Sequence, residues 1–189
     1  MAWNGWEKRS AYLLVQCDWK AGEKVWSRAK NWRDTIGAWM LTGNWSVMVW
    51  VDARSWEDLY AKACELRSIP GVTATSTHFV YKGMTNGKWW WEQPAGAWLW
   101  VRSPHLNGEM KNVSKWKWAD SVTSIPGDWD YLVWAGGKSW DDVWKNIAEA
   151  NSEGWVTSTM VPLRTWWNKS WKKDWWAKSE KKEWATTAW

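Results

Sequence analysis

Trp39-Met40-Leu41-Thr42-Gly43-Asn44-Trp45-Ser46-Val47-Met48-Val49-Trp50 lines up with Thr123-Ser124-Ile125-Pro126-Gly127-Asp128-Trp129-Asp130-Tyr131-Leu132-Val133-Trp134. Gly43 and Gly127 lie 84 residues apart. At the same spacing Ser55-Trp56-Glu57-Asp58-Leu59 matches Ser139-Trp140-Asp141-Asp142-Val143, and Trp32 matches Trp116. Thr75-Ser76-Thr77 matches Thr157-Ser158-Thr159 at a spacing of 82, which requires a two-residue deletion just before it. Ordered agreement at this many positions makes the 189-residue chain a tandem repeat. A repeat constrains the fold before any single element is read.

Each repeat reads β-α-β-β-α-β. In the first, Ala11 to Cys17 is an apolar strand. Gly22 to Trp32 is a helix with Val25, Ala29 and Trp32 on one face, the i, i+4, i+7 pattern. Ile36 to Leu41 and Val47 to Val51 make a hairpin in which Gly43 or Asn44 takes positive φ. Ser55 is the expected N-cap of a helix Trp56 to Arg67 that buries Trp56, Leu59, Tyr60, Ala63 and Leu66 and stops at Ile69-Pro70-Gly71. Val72 to Tyr81 is the last strand. The second repeat offers a strand Ala97 to Val101, a weaker helix Asn107 to Trp118, and a hairpin of Asp120 to Ile125 with Tyr131 to Ala135. A helix capped by Ser139 follows, with Trp140, Val143, Trp144 and Ile147 inward, then a strand Trp155 to Leu163.

Such a unit forms a four-stranded antiparallel sheet with both helices on one face, the ferredoxin-like arrangement. The bare sheet face needs a cover, and two copies in one chain can cover each other. The expected fold is therefore α+β: two ferredoxin-like repeats packed sheet to sheet as a pseudo-dimeric αβ barrel. The boundaries are residues 1–83 for the first repeat, 84–96 for a linker, 97–165 for the second repeat and 166–189 for a Trp/Lys-rich tail.

Composition narrows the function classes. The net charge is +5, too small by itself to imply nucleic-acid binding. From Arg164 to Lys182 seven basic side chains face two acidic ones, so the tail segment is the basic part. Cys17, Cys64, His78 and His105 stand singly, without C-x-x-C or H-x-x-x-H, so neither a metal site nor a cofactor is expected. No apolar stretch is long enough to span a membrane, and Met1 to Ser10 has charges at Glu7, Lys8 and Arg9 with no apolar run behind a basic start, so no secretory leader is expected and the cytoplasm is the expected address. Tryptophan is the anomaly: 28 Trp stand against 4 Tyr and 1 Phe. That many indoles cannot share one small core, so some must lie at interfaces, on the surface or around a ligand.

The opening strand Ala11-Tyr12-Leu13-Leu14-Val15, the hairpin Thr42 to Val49, and Ile69-Pro70-Gly71-Val72 with Thr75-Ser76-Thr77 resemble the ligand-binding and oligomerisation domain of the Lrp/AsnC (feast/famine) regulators. The likeness covers about Ala11 to Lys82, and the second repeat is a weaker copy. It implies a small, often amino-acid effector bound near a Thr-Gly-x-x-Asp hairpin at a subunit interface. Ser46 stands at the acidic position of the first hairpin and Asp130 at that of the second, so an ammonium-binding carboxylate is expected only at Asp130. Only ten residues precede the first strand, too few for the family's helix-turn-helix, so direct duplex DNA reading is not expected.

The candidate ligand-binding residues are Thr42, Gly43, Asn44 and Ser46 in one hairpin and Gly127, Asp128 and Asp130 in the other. Candidate interface residues are Trp89, Trp90 and Trp91, with Trp167, Trp171 and Trp175, which are four apart and would share a helix face. The leading reading is a non-enzymatic module resembling a stand-alone effector-binding domain, self-assembling into a ring or filament. One alternative is an αβ-barrel enzyme, monooxygenase-like or haem-dependent, using His78 or His105. Another is single-stranded nucleic-acid binding by the basic Trp-rich tail.

Overall fold

The computed structural model describes residues 9–85, 93–104, 113, 115–125 and 127–168. Trp89 to Trp91, Trp171, Trp175, His105 and most of the helix expected over Asn107 to Trp118 lie outside the described residues.

The first repeat runs β1 (Arg9–Cys17), α1 (Trp19–Lys30), β2 (Thr35–Leu41), β3 (Val47–Ala53), α2 (Trp56–Arg67) and β4 (Val72–Phe79). A short strand β5 (Lys82–Thr85) follows. The second repeat places β6 (Ala95–Arg102), β7 (Ala119–Ser124), β8 (Tyr131–Gly137), α3 (Trp140–Ser152) and β9 (Val156–Met160), with β10 (Pro162–Trp167) after it. The caps explain the helix starts. Asp18 accepts from Ala21 N at 2.8 Å, so α1 begins three residues ahead of the expected Gly22. Ser55 and Ser139 cap α2 and α3 in the same way.

Both sheets are antiparallel throughout and share one plan. Their orders are β10-β2-β3-β1-β4 and β5-β7-β8-β6-β9. The repeat's own four strands in each, β2-β3-β1-β4 and β7-β8-β6-β9, have the ferredoxin-like order. The fifth is lent by the other repeat: β5 leaves the first repeat to pair with β7, and β10 leaves the second to pair with β2. Lys82 to Thr85 thus straddles the expected linker boundary, and Trp166 and Trp167, assigned to the tail, belong to a strand. Trp167 lies opposite Gly37 and does not join a helical stripe. Open sheet edges attract pairing, and each lent strand covers one edge of its neighbour. Arg164 locks β10 down. Its guanidinium lies 4.0 Å from the Trp26 ring centroid and holds Glu23 by two hydrogen bonds of 2.9 and 3.1 Å.

Two cores lie between sheet and helices, and a third lies between the sheets. The third takes Tyr12, Leu14, Trp39 and Met48 from one sheet and Trp98, Trp100, Leu132 and Trp134 from the other. Trp39 meets Trp98 edge-on at 5.3 Å, Trp98 meets Trp134 at 5.2 Å, and the Tyr12 hydroxyl reaches Thr123 Oγ1 at 3.4 Å. The expected sheet-to-sheet packing is therefore the observed one, and indoles do much of the filling. The helix faces are different from expectation. Trp56 and Tyr60 of α2, and Trp140 and Trp144 of α3, are exposed, Tyr60 at 73% and Trp144 at 54%. The inward stripes are Leu59, Lys62 and Leu66, and Val143, Ile147 and Ala150. At about 100° per residue the aromatic positions fall on the flank of those stripes.

Trp98→Ala is expected to cost about 3–5 kcal/mol, because it opens a cavity in the core that both repeats share. Trp144→Ala should stay within about 0.5 kcal/mol. Urea unfolding of the two variants checks this, and comparable losses would contradict the assignment of the inter-sheet core.

Candidate functional site

A cavity of about 370 Å³ opens between the sheets where the β2–β3 and β7–β8 hairpins meet. Its lining comes in matched pairs, one member from each repeat. Leu14 lies opposite Ser76 in the β1–β4 ladder, and Trp100 lies opposite Ser158 in the β6–β9 ladder. Likewise Tyr12 pairs with His78, and Trp98 with Met160. Leu14 therefore corresponds to Trp100, Ser76 to Ser158 and His78 to Met160, and all six line the cavity. The hairpins contribute Asn44 with Asp128, and Trp45 with Trp129. Gly43 and Thr159 complete the wall. The cavity thus sits on the pseudo-twofold relation between the repeats.

Burial separates floor from mouth. Leu14, Trp100 and Met160 are buried, while Gly43, Asn44 and Asp128 are exposed. Gly43 turns the first hairpin at φ 102°, the left-handed region that favours glycine. The Trp100 indole N–H donates to Met160 Sδ at 3.0 Å, which fixes the ring on the floor. His78 stands 3.0 Å from Ser76 Oγ through Nε2, and its ring lies 4.8 Å from the Trp100 ring. Burial pushes the His78 imidazole below its ordinary 6.5, with the Asp128 carboxylate opposing the shift. Arg102 donates from Nε to the Asp128 carbonyl at 2.9 Å, and its guanidinium stacks 5.0 Å above Trp129.

Of the residues singled out from sequence, Gly43, Asn44 and Asp128 line this cavity. Thr42, Ser46, Gly127 and Asp130 sit beside it in other roles. Thr42 ties its hairpin to the turn into β10 through Val161, by backbone N–H to carbonyl at 3.0 Å and by Oγ1 to Val161 N at 3.2 Å. Ser46 Oγ accepts from Cys17 N at 3.2 Å and donates to Cys17 O at 2.7 Å. The Asp130 carboxylate accepts from Ser103 N at 2.6 Å. The acidic position of the hairpin motif therefore does one job in both repeats: it brackets the hairpin onto the end of the repeat's first strand. Gly127 turns the second hairpin at φ 155°.

Sequence reasoning weighed His78 only as a lone histidine and passed over Ser76, Ser158, Trp45, Trp100, Trp129 and Met160. The signal for the serines was the repeated Thr-Ser-Thr. Strand alternation puts one side chain of the three toward the facing sheet. Among the described residues no group of three or more His, Cys, Asp or Glu is placed to hold a metal.

Known proteins share parts of this body. Residues 10–90 match the Lrp/AsnC ligand binding domain. The first repeat is thus similar to that domain, as its hairpin suggested. A search of curated proteins gives no match. Among solved structures, MtbAldR is 18% identical over 43% of this chain and 57% of its own, with a TM-score of 0.37. The present chain therefore spans a little over half of that protein. The siroheme decarboxylase NirDL, in complex with an iron-uroporphyrin III analogue, has a TM-score of 0.64 at 8% identity, covering 90% of this chain and 79% of its own. A haem-binding protein from Thermus thermophilus has a TM-score of 0.50 at 10% identity, covering 84% of this chain and 92% of its own. At such identities the latter two show the fold alone, and it is the body of two ferredoxin-like repeats described above.

His78 makes the fold sensitive to mild acid. Its depressed affinity for protons means the unfolded chain binds more protons as pH falls through 6.5. Stability is therefore full above that value and declines below it until the folded-state imidazole also titrates. The urea midpoint should drop between neutral and mildly acid pH, and His78→Asn should show a smaller drop. Equal drops in both proteins would contradict the burial of this ring.

Proposed function

We propose that the chain is a non-enzymatic effector-binding module of the Lrp/AsnC type, and that its effector occupies the cavity between the sheets. The observation that carries this is the pairing of the lining: both repeats send the same five positions to one concave site. The recess mixes hydroxyl, amide, imidazole and carboxylate groups with indoles and aliphatic side chains, and placed polar groups beside apolar surface orient a small ligand. A single small ligand per chain, of the size of an amino acid or its amine, suits the volume. Calorimetric titration of the full chain with the common amino acids and their amines should give one saturable event per chain. Ser158→Tyr, which fills the cavity, should weaken it at least tenfold without lowering the unfolding midpoint. Binding that survives the filled cavity would place the site elsewhere.

Self-assembly is part of the same proposal. Trp56 and Tyr60 on α2 have counterparts in Trp140 and Trp144 on α3, and all four are exposed. Two equivalent aromatic patches related by the internal symmetry support a ring or filament, since contiguous exposed apolar surface marks interaction sites. Size-exclusion light scattering should show particles larger than one chain. A strict monomer would remove this part of the reading.

A haem-dependent enzyme is the second reading, favoured by the position of His78 and by the tetrapyrrole held by the NirDL structure. His78 would supply one nitrogen ligand to the iron of such a group. The rest of the lining does not fit, because among the described residues no lysine or arginine lines the cavity to meet the carboxylates that such macrocycles carry. No catalytic step is assigned.

A further inference from the structure

The internal symmetry of the cavity is broken at three positions, and the breaks have a direction. Asp128 stands where the other repeat has Asn44, Trp100 where it has Leu14, and His78 where it has Met160. A homodimer would carry either residue twice. Fusion into one chain lets each half-site keep its own, so the site carries one carboxylate rather than two or none.

Among the described residues that carboxylate is the single acidic group lining the cavity, and no lysine or arginine lines it. Among the described residues no hydrogen bond or ion pair takes the Asp128 carboxylate. The neighbouring Arg102 spends its Nε–H on the Asp128 main-chain carbonyl. His78 is held toward its neutral form by burial, so it adds no competing positive charge near neutral pH. Three indoles, Trp45, Trp100 and Trp129, line the same cavity. An indole face attracts cations through its quadrupole, more strongly as the cation is desolvated. Trp129 already shows this preference, with the Arg102 guanidinium 5.0 Å from its centroid. The polarity also runs along the depth of the cavity. Asp128 and Asn44 are at the exposed mouth, and Leu14 and Met160 are on the buried floor.

From this we infer that the cavity receives one amphipathic organic cation, its ammonium end at Asp128 beside Trp45 and Trp129 and its apolar end on Leu14, Trp100 and Met160. The inference rests on reading the cavity as the effector site and goes further by naming the charge and orientation of the effector. An amino acid would bring a carboxylate to a lining without a cationic partner, and an anion would meet Asp128 directly. An amine or quaternary ammonium of aromatic or aliphatic body matches both ends.

Three probes of one body size separate these cases: phenethylamine, phenylalanine and phenylacetate, titrated calorimetrically into the full chain near neutral pH. Phenethylamine should bind at least tenfold more tightly than either of the others. Asp128→Asn, which copies the counterpart residue Asn44, should weaken phenethylamine at least tenfold without weakening phenylacetate. Tighter binding of phenylalanine or phenylacetate, or an Asp128→Asn variant that holds phenethylamine unchanged, would overturn the inference while leaving the cavity as the effector site. No heat and no shift of the unfolding midpoint with any probe would overturn both.

Discussion

The contact between the two bare sheet faces is the constraint on which the molecule depends. A ferredoxin-like sheet with helices on one side leaves its other side apolar, and water will not cover it. Here each repeat covers the other, with Trp39 and Trp98 fully withdrawn from solvent at the centre. The lent strands reinforce the same union. β5 and β10 each leave their own repeat and complete the neighbouring sheet, so neither sheet has all its strands without the other half of the chain. The large number of indoles follows in part from this geometry. The gap between two facing sheets is about 10 Å, and wide flat rings fill it well.

The cavity is a consequence of the same union. It lies where the facing sheets part at the hairpin end, so its walls are built from counterpart positions of the two repeats. The brackets at Ser46 and Asp130 are alike in effect although not in chemistry, since each holds its hairpin to the backbone at the end of the repeat's first strand. The lining is where the two repeats have gone separate ways. A hydroxyl and a carboxylate are interchangeable as acceptors for one backbone N–H. They are not interchangeable at a mouth through which a charged ligand would pass.

The architecture was legible because the repeat is carried by turn and cap residues, Gly43 with Gly127 and Ser55 with Ser139, whose backbone demands tolerate few substitutes. The exchanged strands were not. β5 is four residues long in a Gly-punctuated stretch, and β10 merges with a run of Trp and Lys that resembles a helix face. Pairing with a distant strand leaves no local periodicity to read. The exposed aromatics were misplaced because Trp and Tyr at helical spacing look like core unless the smaller residues beside them are given precedence. At the site, Gly43, Asn44 and Asp128 could be found from the hairpin pattern. Leu14, Trp100 and Met160 could not, since an apolar residue on a strand does not announce whether it meets another side chain or a void.

Native-state hydrogen exchange along a urea series tests the shared inter-sheet core most directly. The account predicts that the slowest amides of β2 and β7, each held on one side by a strand from the other repeat, exchange through one common opening with the same free energy and the same urea dependence. Two separate openings, one for each repeat, would contradict it.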